Sequence, residues 1–250
     1  MKYNRPIVIS IAGFDPSGGA GVLADIKTFE QNNCLGMAVV SALTVQTENQ
    51  FISVNWLTAE KIVEQLKPLL QAYTCKVIKI GIIKDLPTLR TVVDSIHSID
   101  QAIKIVWDTV LAASSGFNLL SDINTVELNE LLKHIYLITP NTNEALQLSG
   151  EKEELVAARS LSAYCHILLK GGHSQITKGT DILFYDNKIF ELKASAEKYY
   201  DKHGSGCILS SAIASGLATG KSLEQSCVEA KQYIKKVLNS NQELLAYHVQ

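Results

Sequence analysis

The sequence predicts an α/β fold: a mostly parallel central sheet with helices on both faces. Three observations carry that prediction. Short, β-branched apolar runs recur without polar alternation, the mark of strands buried on both faces. Amphipathic segments of helical period lie between them. Several runs stop at Gly, Asp, Asn or Lys, where open sheets of this kind place their ligands. The 250 residues suit a single domain over 1–250.

In chain order, Ile7–Ile11 is the first such strand, ending in the loop Gly13-Phe14-Asp15-Pro16-Ser17-Gly18-Gly19-Ala20-Gly21. The helix after it places Val22, Ile26 and Phe29 on one face, with Asp25 and Lys27 off that face. No Gly-Lys-Ser/Thr closes the loop and its glycines do not match G-x-G-x-x-G, so it is no P-loop. Met37–Val45 is a second strand, ending at Gln46-Thr47. Gln46 can donate and accept at once, which suits a heterocycle edge and equally suits a solvated loop. Ile52–Leu57 reads as an edge strand, and Ala59–Tyr73 as a helix with Ile62, Leu66 and Leu69 in phase.

Val77–Gly81 is a buried strand, Leu86–Ile99 a helix, and Ile103–Trp107 a strand ending at Asp108. Ile135–Ile138 leads to Asn141 and Glu144, whose spacing makes a capping box and also suits phosphate and metal. His166–Leu169 leads to Lys170-Gly171-Gly172-His173. Asp181–Tyr185 and Lys188–Leu192 form a hairpin across Asp186-Asn187. Leu223, Cys227, Ala230, Ile234 and Val237 mark a final helix.

The stretch Gly204-Ser205-Gly206-Cys207 opens an apolar helical run. Unpaired N–H groups and the helix dipole make an anion site there. The same field predicts a lowered thiol pKa for Cys207; the alternative is an inert core cysteine. Asp108, Asn141, Glu144 and Lys170 converge on one rim of the sheet, facing this loop. Carboxylates for magnesium, a lysine for phosphate charge and a backbone anion hole are the parts of phosphoryl transfer.

Composition narrows the classes. Hydrophobic residues make up 46% and charged residues 19%, as in a globular protein with a real core. A net charge of −2 and a pI of about 6.3 give no footing for nucleic acid or an acidic membrane. The five cysteines (Cys34, Cys75, Cys165, Cys207, Cys227) are odd in number and show no C-x-x-C spacing. That argues against disulfides or zinc and for a cytoplasmic location. Ile7–Ala12 is too short for a signal sequence, and no segment suffices to span a bilayer.

These motifs, in this order, resemble the ribokinase-like small-molecule kinases. Within them the chain is similar to the hydroxymethylpyrimidine/phosphomethylpyrimidine kinases of thiamine biosynthesis. The resemblance runs from residue 7 to about 239. It rests on Ala12–Gly21, Ala24–Phe29, Gln46-Thr47, Asp108, Thr139-Pro140-Asn141 with Glu144-Ala145, Lys170–His173 and His203–Cys207. It implies a three-layer ribokinase-like fold, ATP as co-substrate, Mg²⁺, and a homodimer. The implied reaction phosphorylates 4-amino-5-hydroxymethyl-2-methylpyrimidine and then its monophosphate. By resemblance, Gly13, Asp25, Val45 and Gln46 hold the pyrimidine. Gly204, Ser205, Gly206 and Cys207 form the anion hole, with Cys207 as general base where most ribokinase relatives use aspartate. Asn141 and Lys170 serve ATP; Asp108 and Glu144 serve magnesium. The alternatives are a pyridoxal/pyridoxine kinase on the same scaffold and a pyrimidine-binding regulatory paralogue.

The chain departs from the family pattern at five places. Phe14 replaces a small Ser or Thr, Ile82 a Met, Ile208 a Thr after the cysteine, and Lys202 a Thr before the histidine. The C-terminal Gly-Pro-His segment is absent; the chain ends Leu244-Leu245-Ala246-Tyr247-His248-Val249-Gln250.

Overall fold

Side chains divide by parity along the inner strands, and that division builds the layers. In β1 (Ile7–Phe14), Ile7, Ile9 and Ile11 face one side and Val8 the other. The pattern repeats in β4 (Cys75–Ile80), with Ile78 and Ile80 opposite Val77, and in β5 (Lys104–Trp107), with Ile105 and Trp107 opposite Val106. The first face is covered by α2 (Ala59–Ala72), α3 (Leu86–Ile99), α4 (Thr125–Leu132), α5 (Thr142–Ser149) and α6 (Glu154–Leu161), through Leu66, Leu89, Leu128, Leu148 and Leu161. The second is covered by α1 (Gly21–Gln31), α7 (Ser205–Ala218) and α8 (Leu223–Leu238), through Phe29, Ile213 and Ile234. The computed structural model describes residues 4–112, 119–120, 123–173, 179–193 and 199–248.

The remaining strands are β2 (Leu35–Gln46), β3 (Phe51–Trp56), β6 (Leu137–Ile138), β7 (His166–Leu169), β8 (Asp181–Tyr185) and β9 (Lys188–Leu192). The described strands form one nine-stranded sheet in the order β3-β2-β1-β4-β5-β6-β7-β8-β9. Pairing is parallel from β2 to β7, with antiparallel strands β3, β8 and β9 at the edges. The chain moves one way from β1 to β2 and the other way from β4 onward. The order therefore reverses between β1 and β4, and the carboxyl ends beside that switch point are where such sheets bind ligands.

Local chemistry explains the boundaries. Asp85 caps α3 by accepting from the Thr88 N–H at 2.8 Å, with Pro87 in the first turn. Ser222 and Gln225 close a capping box on α8. Asp186 and Asn187 both take positive φ, 46° and 59°, as a two-residue hairpin turn requires. Helix α7 is buried on every side from Ile208 to Ala218. Gly216 makes that possible, since a Cβ there would lie 2.7 Å from Ser226 Oγ on α8.

Two expectations change. Helices α4 and α6 are additions to the elements expected from the sequence; like α5 each is eight residues long, but neither has the capping box that marks α5. Asp25 does not lie off the packed face of α1; it is fully buried. Its burial has a cause in the strand register: Ser10 of β1 pairs with Lys79 of β4, on the same side as Val8 and Val77. That puts a hydroxyl and an ammonium under α1 and α7, and Asp25 is the counter-charge.

Candidate active site

Residues at successive strand ends converge beside the start of α7. Asp108 follows β5 and is fully buried. Its Oδ1 accepts from Thr139 Oγ1 at 3.0 Å and Lys170 Nζ at 3.1 Å. Its Oδ2 is buried with no hydrogen-bond partner. Burial alone would raise Asp108, but Lys170 and Lys79 hold its carboxyl below the usual carboxylate range. Asn141 and Glu144 form the capping box of α5, with Asn141 Oδ1 accepting from the Glu144 N–H and Glu144 Oε2 from the Asn141 N–H. That same Oε2 lies 3.7 Å from Lys170 Nζ, so the structural and the electrostatic readings of the pair hold together. Burial, with Asp108 adding, raises Glu144 despite Lys170. Lys170 continues from β7, bridges to Asn141 and has its ammonium between the two carboxylates, which raise its pKa against burial.

The loop before α7 faces this group. Gly204 is its N-cap, left-handed at φ 74°, and a Cβ there would lie 2.1 Å from the Gly19 carbonyl oxygen. Only glycine fits. A Cβ on Gly206 would lie 3.4 Å from Lys170 Nζ and 3.8 Å from Asp108 Oδ2. The first turn of α7 thus lies beside a lysine and an unpartnered carboxylate oxygen. Ser205, Gly206 and Cys207 occupy that turn, whose amides have no acceptor within the helix.

Cys207 departs from the expected lowered pKa. Burial pushes its thiol up to about 11; Lys79 opposes this, while Asp108 and Asp25 add to it. The helix field alone points the other way, but two carboxylates and partial burial outweigh it in the free protein. Alkylation of Cys207 by iodoacetamide, followed by peptide mass, is expected to accelerate steadily above pH 9. Its midpoint should fall near 11. A midpoint well below 9 would contradict the burial argument.

The glycine loop after β1 forms the other wall. Asp15 organises it, accepting from Ser17 N–H at 2.9 Å, Ser17 Oγ at 2.8 Å and Ala20 N–H at 2.9 Å. His203 Nε2 lies 2.9 Å from Asp15 Oδ2, tying this loop to the one before α7. Burial would raise Asp15, but His203 and Ser17 hold it low. Gly13 abuts Ile82, whose Cδ1 is 2.5 Å from where a Cβ would stand. Gln46 Nε2 donates to Thr44 Oγ1 at 2.8 Å, and Thr44 Oγ1 to the Phe14 carbonyl at 2.8 Å. Val45 is 47% and Phe14 37% exposed, while Gly13 is buried and Gln46 and Ile82 half-buried.

Asp25 does not join them. Its oxygens accept from Lys79 Nζ at 2.9 and 3.0 Å, Ser10 Oγ at 2.5 Å and Ser211 Oγ at 2.7 Å. It is a neutralised charge beneath the site, with no surface for a ligand. Ser211 stands one turn below Cys207 on α7, so the ionic cluster underlies the start of that helix. Sequence reasoning passed over Lys79, Asp15 and His203. A lysine inside an otherwise apolar strand was the available signal, since a doubly buried ammonium demands a carboxylate.

No group of three or more His, Cys, Asp or Glu side chains able to hold a metal occurs among the described residues. Nor is any described helix long and apolar enough to cross a membrane.

The family model described as phosphomethylpyrimidine kinase matches residues 15–250. The chain is 32% identical over 247 residues to the hydroxymethylpyrimidine/phosphomethylpyrimidine kinase of Rhizobium meliloti (strain 1021), covering 95% of this chain and 92% of that one. It is 33% identical over 246 residues to the protein of the same name from Aquifex aeolicus (strain VF5), covering 95% and 96%. Among solved structures, phosphomethylpyrimidine kinase from Clostridium difficile 630 superposes with a TM-score of 0.79 at 29% identity, covering 93% of this chain and 99% of that one. The pyridoxal kinase from Staphylococcus aureus in complex with AMP-PCP and pyridoxal gives a TM-score of 0.81 at 26% identity, covering 97% and 92%.

Proposed function

The chain belongs to the phosphomethylpyrimidine kinase family, and on that premise we propose that it phosphorylates 4-amino-5-hydroxymethyl-2-methylpyrimidine with ATP and then phosphorylates the monophosphate. The product is the pyrophosphate used to make thiamine phosphate. One observation carries the reading: the first turn of α7 lies beside Lys170 Nζ and the unpartnered Asp108 Oδ2, both within 4 Å of where a Cβ on Gly206 would stand. That is a site for phosphate beside a site for its counter-cation.

In this reading Gln46, with Gly13 and Val45, orients the pyrimidine so that its hydroxymethyl oxygen faces the first turn of α7. The amides of Gly204–Cys207 receive the transferred phosphoryl group, and Lys170 and Asn141 serve the remaining phosphates. The hydroxymethyl oxygen forms the new bond to phosphorus, the bond to the leaving ADP oxygen breaks, and the hydroxyl proton passes to the Cys207 thiolate, which becomes the thiol. In a loose transition state that proton moves late, so positioning and charge neutralisation carry most of the barrier reduction.

Magnesium fits the donor set. Two carboxylates plus substrate phosphates are what Mg²⁺ ordinarily takes, and Asp108 Oδ2 is a buried acceptor with nothing to accept from. Asp108 and Glu144 would hold the ion, which supplies neutralisation of phosphate charge. Asp108 is also one of the carboxylates that raise the Cys207 thiol. Neutralising Asp108 would lower that thiol's pKa and make its thiolate, the form that accepts a proton, easier to reach. Five free thiols support a cytoplasmic location, and the family resemblance supports a homodimer.

The test is relative kcat/KM for the pyrimidine and for pyridoxal, assayed in parallel with ATP and Mg²⁺. A clear preference for the pyrimidine is expected; a strong preference for pyridoxal overturns the reading. Tight pyrimidine binding without turnover would make the protein a binding paralogue. In the same assay Gln46→Ala is expected to raise the pyrimidine KM about tenfold, the cost of one polar anchor, with kcat little changed.

A further inference from the structure

The segment after α8 folds back onto Lys202, at the start of the anion loop. Lys202 is buried, and its Nζ donates to the Asn241 carbonyl at 2.7 Å, to Asn241 Oδ1 at 2.9 Å and to the Glu243 carbonyl. All three of its protons are thus aimed at one turn of the C-terminal segment. That turn is prearranged: Asn241 Oδ1 also accepts from the Glu243 N–H at 2.9 Å, and Asn241 Nδ2 donates to the Leu245 carbonyl at 2.9 Å.

The next residue repeats the attachment. The His203 N–H donates to the Leu244 carbonyl at 3.0 Å, while its side chain holds Asp15 of the glycine loop. Leu245 lies over that loop as well, its Cδ2 2.8 Å from where a Cβ on Gly19 would stand. The far end is anchored through His248, whose Nδ1 is 3.2 Å from the Tyr233 hydroxyl of α8.

Lys202 also begins the turn that becomes the anion loop: its carbonyl accepts from the Ser205 N–H at 3.4 Å. Gly204 has no side-chain cap, so the Lys202 carbonyl, and whatever holds Lys202, helps to fix where the first amides of α7 point. We propose that residues 241–248 form a strap that sets the position of Gly204–Cys207, with Lys202 as the positioning residue that transmits it. The inference rests on the reading that those amides receive the phosphoryl group. Lys202 touches no reacting atom; it acts through the loop that follows it.

The experiment compares wild type, Lys202→Met, Lys202→Arg, Asn241→Ala and the double variant by hydrogen–deuterium exchange and steady-state kinetics. Loss of amide protection confined to residues 203–208, with α8 unchanged, is expected for Lys202→Met and Asn241→Ala. Their kcat should fall about ten- to a hundredfold, as a misplaced catalytic loop does, with pyrimidine KM within about twofold. Lys202→Arg should recover part of kcat, and the double variant should be no worse than the poorer single one. Unchanged exchange and kcat in Lys202→Met would overturn the proposal. So would losses that multiply in the double variant, or protection lost across α7 and α8 together. Exchange needs no substrate, so it judges the strap even if wild type fails to phosphorylate the pyrimidine, a result that would count against the kinase reading alone.

Discussion

Cys207→Ala is expected to lower kcat about 10²–10⁴-fold, the range lost with a positioned proton acceptor, while pyrimidine affinity stays near wild type. The side chain stands in the first turn of α7, where a hydroxymethyl oxygen attacking phosphorus would shed its proton. Alanine keeps the backbone amides, so the anion hole survives and some turnover remains. Ser10, Asp25, Lys79 and Ser211 beneath it bond to one another and not to the thiol, so the fold should tolerate the change. Steady-state kinetics with a binding measurement separates the two effects. Wild-type turnover in the variant would remove the cysteine from the mechanism.

Lys79→Met is expected to destabilise the protein by about 3–5 kcal/mol, the cost of leaving a buried charge without its partner. The variant strands Asp25, which is fully buried with two hydroxyls as its other partners. The stem of methionine fills the strand face between β4 and α7, so packing changes little and the charge dominates. Removing the charge as well, in Lys79→Met/Asp25→Leu, should recover much of the loss, because apolar pairs often match buried ion pairs. Denaturant unfolding reads both, and an additive double variant would contradict the pairing.

Much of this architecture was legible because the inner strands are buried on both faces. Val77–Ile80, Ile105–Trp107, Leu137–Ile138 and His166–Leu169 form strands where their β-branched and apolar runs lie, and Asp108, Asn141 and Lys170 follow the last three. Asp186-Asn187 turns the hairpin because both residues tolerate positive φ. Long-range charge was harder to see. Asp25 looked like a solvent-facing helix residue, since its partner Lys79 lies on a strand far along the chain. The thiol of Cys207 looked acidic from its helix alone; Asp108 and Asp25, which oppose that field, come from a strand end and another helix. His203 and Asp15 each sat in a motif, yet only the fold puts them 2.9 Å apart. The partner of Lys202 is the C-terminal strap, which has no repeating pattern to announce it.

The most direct test of the central claim is the mass of the product formed from hydroxymethylpyrimidine with excess ATP and Mg²⁺. Two phosphates are expected to be added, with the monophosphate appearing first and then consumed. Recovery of unphosphorylated pyrimidine, under conditions where pyridoxal gains one phosphate, would contradict it and make Phe14 and Ile82 the walls of a pyridoxal site.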